Sequence, residues 1–369
     1  MHIGIDASRA TRPQRTGTEG YSLRLIQALL ALDQRNDYTL YFNQAPSPGL
    51  LAQGPRCRHR VMPFPRLWTH LRLSAELALR PPDLLLVPAH VLPLIHPRRS
   101  VVTVHDLGYL REPQAHRPLD RLYLDLSNRY HVRAAARLLA ISQATKDDLV
   151  SRYGVRPERV AVTYLAAGDD MRPVDDPAKM AAVKSRHGLA DEYLLYVGTL
   201  QPRKNLARLV QAFAPVAAQQ PALQLVLAGK KGWMYEEIFA QVRRLGLEGR
   251  VVFAGYVAAD DLPALYSGAL AFVFPSLYEG FGMPVLEAMA CGAPVVASNT
   301  SSLPEVAGDA ALLVDPTDLD ALSAALARVA VDPALRSDLR VRGLVQAARF
   351  SWERCARETL AALEEAMAL

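Results

Sequence analysis

The strongest constraint on the fold is an alternation of short apolar runs with helical patterns, and the chain runs through it twice. In the first half the apolar runs fall at 2–6, 38–42, 84–87, 101–105, 137–141 and 160–164. They are near-continuously apolar, the pattern of strands covered on both faces. Helical stretches lie between them. Residues 20–32 space Leu25, Ile26, Leu29 and Leu30 on one face, and 121–136 is amphipathic with arginines along one side. Ser142 is placed to cap a further helix. At 166–177, AAGDDMRPVDDP, Gly, Asp and Pro cluster as in a linker. The alternation then restarts at 193–197, 223–228, 251–254, 269–274, 294–297 and 311–314, and a helical stretch at 349–369 closes the chain. This pattern predicts an α/β protein of two Rossmann-like, doubly wound parallel-sheet domains, 1–168 and 169–348, facing a central cleft. Ligands bind such sheets at the carboxyl ends of the strands.

Length and composition agree with that reading. The chain has 369 residues, enough for two ordinary domains, and half of them are hydrophobic. HIGID follows Met1 directly and reads as a strand, which leaves no room for a signal peptide. The longest apolar run, 84–95, is broken by Pro88, His90 and Pro93 and is far short of the roughly 20 residues a spanning helix needs. Cys57, Cys291 and Cys355 are few and widely spaced, so neither a disulfide framework nor a metal site follows. A reducing cytoplasm is the expected compartment, with the inner face of the cell membrane as the alternative.

The net charge of +5 hides an asymmetry. Residues 1–168 carry 23 Lys and Arg against 13 Asp and Glu (23 − 13 = +10), and residues 169–369 carry 19 against 24 (19 − 24 = −5). A basic half suggests an anionic partner. No nucleic-acid motif is present, so a membrane surface or a phosphate-bearing acceptor fits better. Arg56, Arg58, Arg60, Arg66 and Arg72, interleaved with Phe64, Leu67, Trp68 and Leu71, form the expected interfacial segment. The plain alternative is a solvated surface over core side chains.

The chemistry centres on 279–298, EGFGMPVLEAMACGAPVVAS. It reads as a glycine loop after a buried strand, then a short helix with Pro284 at its start and Gly292 as its stop, then another strand. Glu279 falls in the loop and Glu287 in the first helical turn, so two acceptor-only carboxylates can face one small volume and suit sugar hydroxyls. Glu287 could equally complement the helix dipole. A second loop runs from Gly198 through Arg203 and Lys204 to a helix at Leu206. Two cations and free N–H groups at a helix start suit a diphosphate, and the dipole disfavours cations there unless an anion sits between. In the first half, the loop 15–21 follows the run 2–6 and contains Gly17, and His105 closes the run 101–104. His105 reads either as a cleft residue or as a satisfied structural histidine. The loop is not G-x-G-x-x-G, which disfavours a dehydrogenase. Asp318-Leu319-Asp320 opens a helical run and reads as an N-cap, so no metal is expected.

The spacing of Glu279 and Glu287 resembles the E-x7-E motif of the family-four retaining glycosyltransferases, which have the GT-B fold. The loop 198–205 resembles that family's G-x-L-x-x-x-K-(N/G) motif, with Arg203 and Lys204 matching its phosphate-binding pair. The likeness covers nearly the whole chain. It implies a sugar moved from a nucleoside-diphosphate sugar, as co-substrate, to a saccharide or lipid-linked saccharide acceptor, without a metal. GDP-mannose is the favoured donor and UDP-glucose the next. By resemblance, Glu279 and the backbone of Phe281, Gly282 and Met283 hold the sugar, Glu287 the ribose, Gly198 and Gly17 lie near the phosphates, and Val257 lies against the base. His105 would contact the transferred sugar, and the helical tail would cross back to the first domain. Many members carry a second Gly and an Arg where this chain has Glu19 and Gly20, which bears on acceptor contacts. A nucleotide-sugar epimerase, a disaccharide phosphorylase and an inactive nucleotide-sugar binder are the competing readings.

Overall fold

The computed structural model describes residues 1–11, 17–89, 91–115 and 118–369. Two compact units emerge: 1–110 with 116–165 and 351–369, and 111–115 with 166–350. Each is built on one parallel sheet.

In the first unit the strands are β1 (His2–Asp6), β2 (Asp37–Phe42), β3 (Cys57–Val61), β4 (Leu84–Val87), β5 (Ser100–Val104), β6 (Arg137–Ala140) and β7 (Val160–Val162). Their order is β3-β2-β1-β4-β5-β6-β7. Chain direction across the sheet therefore reverses between β2 and β4, on either side of β1, and the switch point lies at the carboxyl end of β1. In the second unit β8 (Tyr193–Val197), β9 (Gln224–Ala228), β10 (Val251–Gly255), β11 (Ala271–Phe274), β12 (Val295–Ser298) and β13 (Ala311–Val314) take the order β10-β9-β8-β11-β12-β13, with the same reversal at β8. The inner strands are buried along their length, which is why their sequences lack polar alternation.

The strand β3 is absent from the sequence expectation. CRHRV carries two arginines and a histidine, so it reads as surface rather than strand. It is an edge strand, paired only with β2, where charge on the open side blocks unwanted pairing. Part of the 56–72 segment is therefore sheet and core, while Phe64, Leu67 and Leu71 stay exposed. Arg58 and Arg60 belong to β3, and Trp68 is a core side chain whose indole N–H donates to the Met62 carbonyl at 2.7 Å. Arg60, Arg72 and Arg80 all pair with the buried Glu76.

The caps follow the sequence. Ser142 Oγ accepts from the Thr145 N–H at 3.0 Å, and Asp318 accepts from the Ala321 N–H at 2.9 Å. The last helix, Trp352–Met367, is capped by Ser351 and packs against the helix Gly17–Leu32 of the first unit. Its inward face, Cys355, Ala356, Thr359, Ala362, Leu363 and Ala366, is fully buried. The small side chains let the helices approach closely, and Arg137 to Glu365 at 2.5 Å fixes its far end to β6. Among the described residues no helix is long and apolar enough to cross a membrane.

Candidate active site

The second unit brings three of the expected residues into one cluster. The strand β8 ends at Val197, and the chain turns through a 3-10 segment, Pro202–Lys204, before the helix Leu206–Gln219. Asn205 makes the turn in the left-handed region, at φ 59°, and its amide donates to the Pro275 and Pro316 carbonyls at 3.1 and 2.7 Å. That lock aims Arg203 and Lys204 at the loop after β11. Lys204 Nζ lies 2.5 Å from Glu279 Oε1 and 4.9 Å from the centre of the Phe274 ring. Arg203 donates to the Tyr278 carbonyl at 2.9 Å and stands 3.9 Å from Glu279 Oε2.

Glu279 and Lys204 are both buried. Burial alone would raise the Glu279 carboxyl, but the charges of Lys204 and Arg203 outweigh it and hold it below the ordinary glutamate value. The carboxylate is therefore ionised. The trio keeps one net positive charge, in surroundings where charges act strongly on one another. This amends one step of the sequence argument. Cations before a helix N-terminus call for an anion, and Glu279 supplies one from within the chain.

Downstream of Glu279 the loop is built on its backbone. The Glu279 N–H donates to Ser301 Oγ at 2.9 Å, and Ser302 Oγ donates to the Glu279 carbonyl at 3.0 Å. Gly282 has φ 102°, and a Cβ there would sit 2.5 Å from Leu303 Cδ2. Only glycine fits. Gly282 stands at the N-cap of the helix Met283–Ala290 and has no side chain to cap it. Phe281 is buried edge-on against Phe350, ring centres 5.9 Å apart. Glu287 lies in the second turn of this helix and not in the first, which removes the dipole explanation for it. Its Oε2 accepts from the buried Tyr266 hydroxyl at 3.1 Å. Burial, with Glu287 beside it, keeps that phenol protonated.

The loop after β9, Gly229 to Trp233, belongs to the same neighbourhood and is missing from the sequence expectation. The Leu200 N–H donates to the Lys230 carbonyl and the Gly232 N–H to the Leu200 carbonyl, both at 2.9 Å. A Cβ on Gly229 would run into the Gly198 carbonyl, so the two loops touch backbone to backbone. Lys230 Nζ lies 4.8 Å over the Tyr256 ring, one residue before the buried Val257. The signal was available: GKKGW follows an apolar strand run as directly as the Gly198 loop does.

In the first unit Asp6, Pro88 and His105 stand at the carboxyl ends of the adjacent strands β1, β4 and β5. His105 Nε2 is 2.8 Å from the Pro88 carbonyl. A carbonyl only accepts, so Nε2 carries the proton and Nδ1 is the acceptor. The ring meets Tyr21 edge-on at 5.0 Å, and burial lowers its basicity, so His105 is neutral. Gly17 opens the helix Gly17–Leu32, and among the described residues nothing lies within 4 Å of a Cβ placed on it. Glu19 pairs with Arg9 at 3.3 Å. Arg15 and Thr16 of the same loop lie outside the described residues. Among the described residues no three His, Cys, Asp or Glu side chains are grouped to hold a metal ion.

Residues 15–166 match the profile named Glycosyltransferase Family 4, and residues 181–344 match Glycosyl transferases group 1. The O-antigen chain mannosyltransferase B of Escherichia coli is 34% identical, over 95% of this chain and 97% of its own length. The chain belongs to the family-four glycosyltransferases. A D-inositol 3-phosphate glycosyltransferase of Actinosynnema mirum is 28% identical over 99% of this chain and 96% of its own. The fold of this glycosyltransferase is shared with a sucrose-phosphate synthase from Thermosynechococcus elongatus, at TM-score 0.76 and 24% identity, over 100% of this chain and 99% of that one. It is shared also with Anabaena HepE, solved with UDP and glucose, at TM-score 0.75 and 20% identity, over 98% and 99% of the two chains. The architecture is GT-B.

Proposed function

We propose that this glycosyltransferase moves mannose from GDP-mannose to a hydroxyl of a saccharide or lipid-linked saccharide, with retention at the anomeric carbon, in surface-polysaccharide assembly. UDP-glucose is the second candidate donor. The Arg203–Lys204–Glu279 cluster, with Lys204 and Glu279 buried, just ahead of the helix that Gly282 opens is the observation that supports the reading most. The Escherichia coli relative supports the choice of mannose.

In this reading negative charge grows on the diphosphate as the glycosidic bond breaks. Arg203 and Lys204 are already in place to meet it, so little reorganisation is needed at that moment. Glu279 keeps Lys204 oriented and offers Oε2 to a sugar hydroxyl. Glu287, steadied by Tyr266, takes the ribose hydroxyls. The second unit serves as the donor side, with Gly198, Val257, Gly282 and Met283 approaching the nucleotide sugar through their backbones. The first unit serves as the acceptor side, and its Gly17 admits close backbone approach to the donor phosphates. Neutral His105 offers Nδ1 as an acceptor toward the transferred sugar. No metal is required, because the chain supplies the cations.

The test is a panel of nucleotide sugars with a methyl mannoside acceptor, the product read by NMR. The reading predicts turnover with GDP-mannose, an α-linked product and full activity in EDTA. An inverted product, or EDTA inhibition reversed by Mg²⁺ or Mn²⁺, overturns retention or metal independence respectively. Epimerised sugar from donor alone would mark an epimerase, and dependence on inorganic phosphate a phosphorylase.

A further inference from the structure

The helix Pro118–Ala134 of the first unit has two apolar faces, and only one is covered. The inner face is fully used. Leu124 packs on the core, the Asn128 amide donates to Tyr109 Oη at 3.0 Å, and the Leu92 N–H donates to His131 Nε2 at 3.1 Å. The opposite face carries Leu119, Leu122, Tyr123 and Leu126, which are 79, 55, 54 and 58% exposed. Their spacing, i, i+3, i+4 and i+7, makes one continuous stripe. The stripe runs toward Tyr130, whose hydroxyl donates to the Pro93 carbonyl at 2.9 Å. That bond brings up Leu94 and Ile95, 61 and 53% exposed. Single exposed leucines need no explanation, but a stripe of four large side chains along one helix face does.

Cations border the patch. Arg133 continues the stripe at its C-terminal end, and Arg98 and Arg99 follow Ile95. All three are exposed. Arg129 is held by Asp125 at 2.8 Å, so the rim depends on the other three. An apolar centre with a basic rim is the pattern of a surface that lies in a lipid headgroup layer. In the 56–72 segment, by contrast, Trp68 is core and Arg60 and Arg72 converge on the buried Glu76, although Phe64, Leu67 and Leu71 are exposed there.

We propose that the outer face of the helix Pro118–Ala134, with Leu94 and Ile95, docks on an anionic lipid bilayer. The four helix side chains enter the headgroup layer, and Arg98, Arg99 and Arg133 meet the lipid phosphates. The proposal does not depend on which sugar is transferred.

Tyr123→Trp places a reporter on the exposed face without touching the core. With vesicles of phosphatidylcholine containing about one third phosphatidylglycerol, its emission should shift to the blue at low salt. With phosphatidylcholine alone it should not, and the response should weaken several-fold in high salt, where headgroup attraction is screened. In sedimentation, Leu119→Ser/Leu122→Ser/Leu126→Ser should lose at least tenfold in vesicle partitioning while keeping the parent Tm. Arg98→Gln/Arg99→Gln/Arg133→Gln should flatten the salt dependence. Equal partitioning to neutral and anionic vesicles, or triple variants that bind like the parent, would overturn the proposal. So would a concentration-dependent dimer that the leucine variant dissociates, since the patch would then cover a second copy.

Discussion

Glu279 and Lys204 form a buried ion pair, and neither can be removed without stranding the other. Removing one partner of a buried ion pair strands the other, at a cost of roughly 3–5 kcal/mol. Lys204→Ala should therefore lower Tm as well as turnover. Lys204→Met with Glu279→Gln should recover most of the Tm and none of the rate, because only the rate needs a cation; Tm and kcat measured together check this. Glu279 titrates below its ordinary 4.5 when folded, so its stabilisation is present at neutral pH and is lost as pH falls through that lowered value. Asp6 has the opposite sign. Burial pushes its carboxyl up to about 6, from an ordinary 3.8, and its Oδ2 has no partner among the described residues. Below the ordinary value the proton is bound in both states and Asp6 has no pH-linked effect. As pH rises through the window from 3.8 to about 6 the folded state must give up a proton it favours, so Asp6 destabilises above that window. Asp6→Asn, which keeps the bond from the Ser8 N–H, should raise Tm at pH 8 and change it little at pH 4. Glu287→Ala should weaken nucleotide binding by about 10- to 150-fold, the range of one charge-assisted hydrogen bond. Tyr266→Phe is the control. If calorimetry with GDP finds affinity unchanged in Glu287→Ala, the ribose assignment fails.

At the scale of elements, the turn at Gly282 is the most exacting. A β-carbon there meets both a left-handed φ and Leu303, so Gly282→Ala should lower Tm by several degrees and weaken nucleotide binding together. A thermal melt with and without GDP separates the two losses. Elements of this kind were legible in the sequence because their chemistry is local. Six apolar runs gave the six strands of the second sheet, and Ser142 and Asp318 gave their caps. What was not legible depended on partners far away in sequence. The strand β3 hid behind its arginines because an edge strand is selected by what it must not pair with. Lys204 read as a phosphate ligand alone because Glu279, 75 residues on, is its partner only in three dimensions. Trp68 read as interfacial because its neighbours are charged, yet its indole is tied to Met62. Glu287 was placed one residue too early in its helix, and so in the first turn, because Pro284 is the second residue of that helix and not the first.

At the scale of the molecule, the units are not built from equal stretches of chain. The second uses 166–350 almost without interruption, whereas the first is assembled from both ends of the sequence and is completed by 351–369. Ending the chain at residue 350 should therefore spare the second unit and open the first, baring Tyr21, Leu25 and the neighbouring strands now covered by the helix Trp352–Met367. Limited proteolysis of that truncation should leave a resistant fragment of the second unit, and degradation of both units alike would deny its independence. The same arrangement dictates a timetable during synthesis. Chains emerge from the ribosome N-terminal end first, and domains fold as units when their residues are out. Here the half that is made first must wait, incomplete, until the ribosome has finished the half that is made second and has added the final helix.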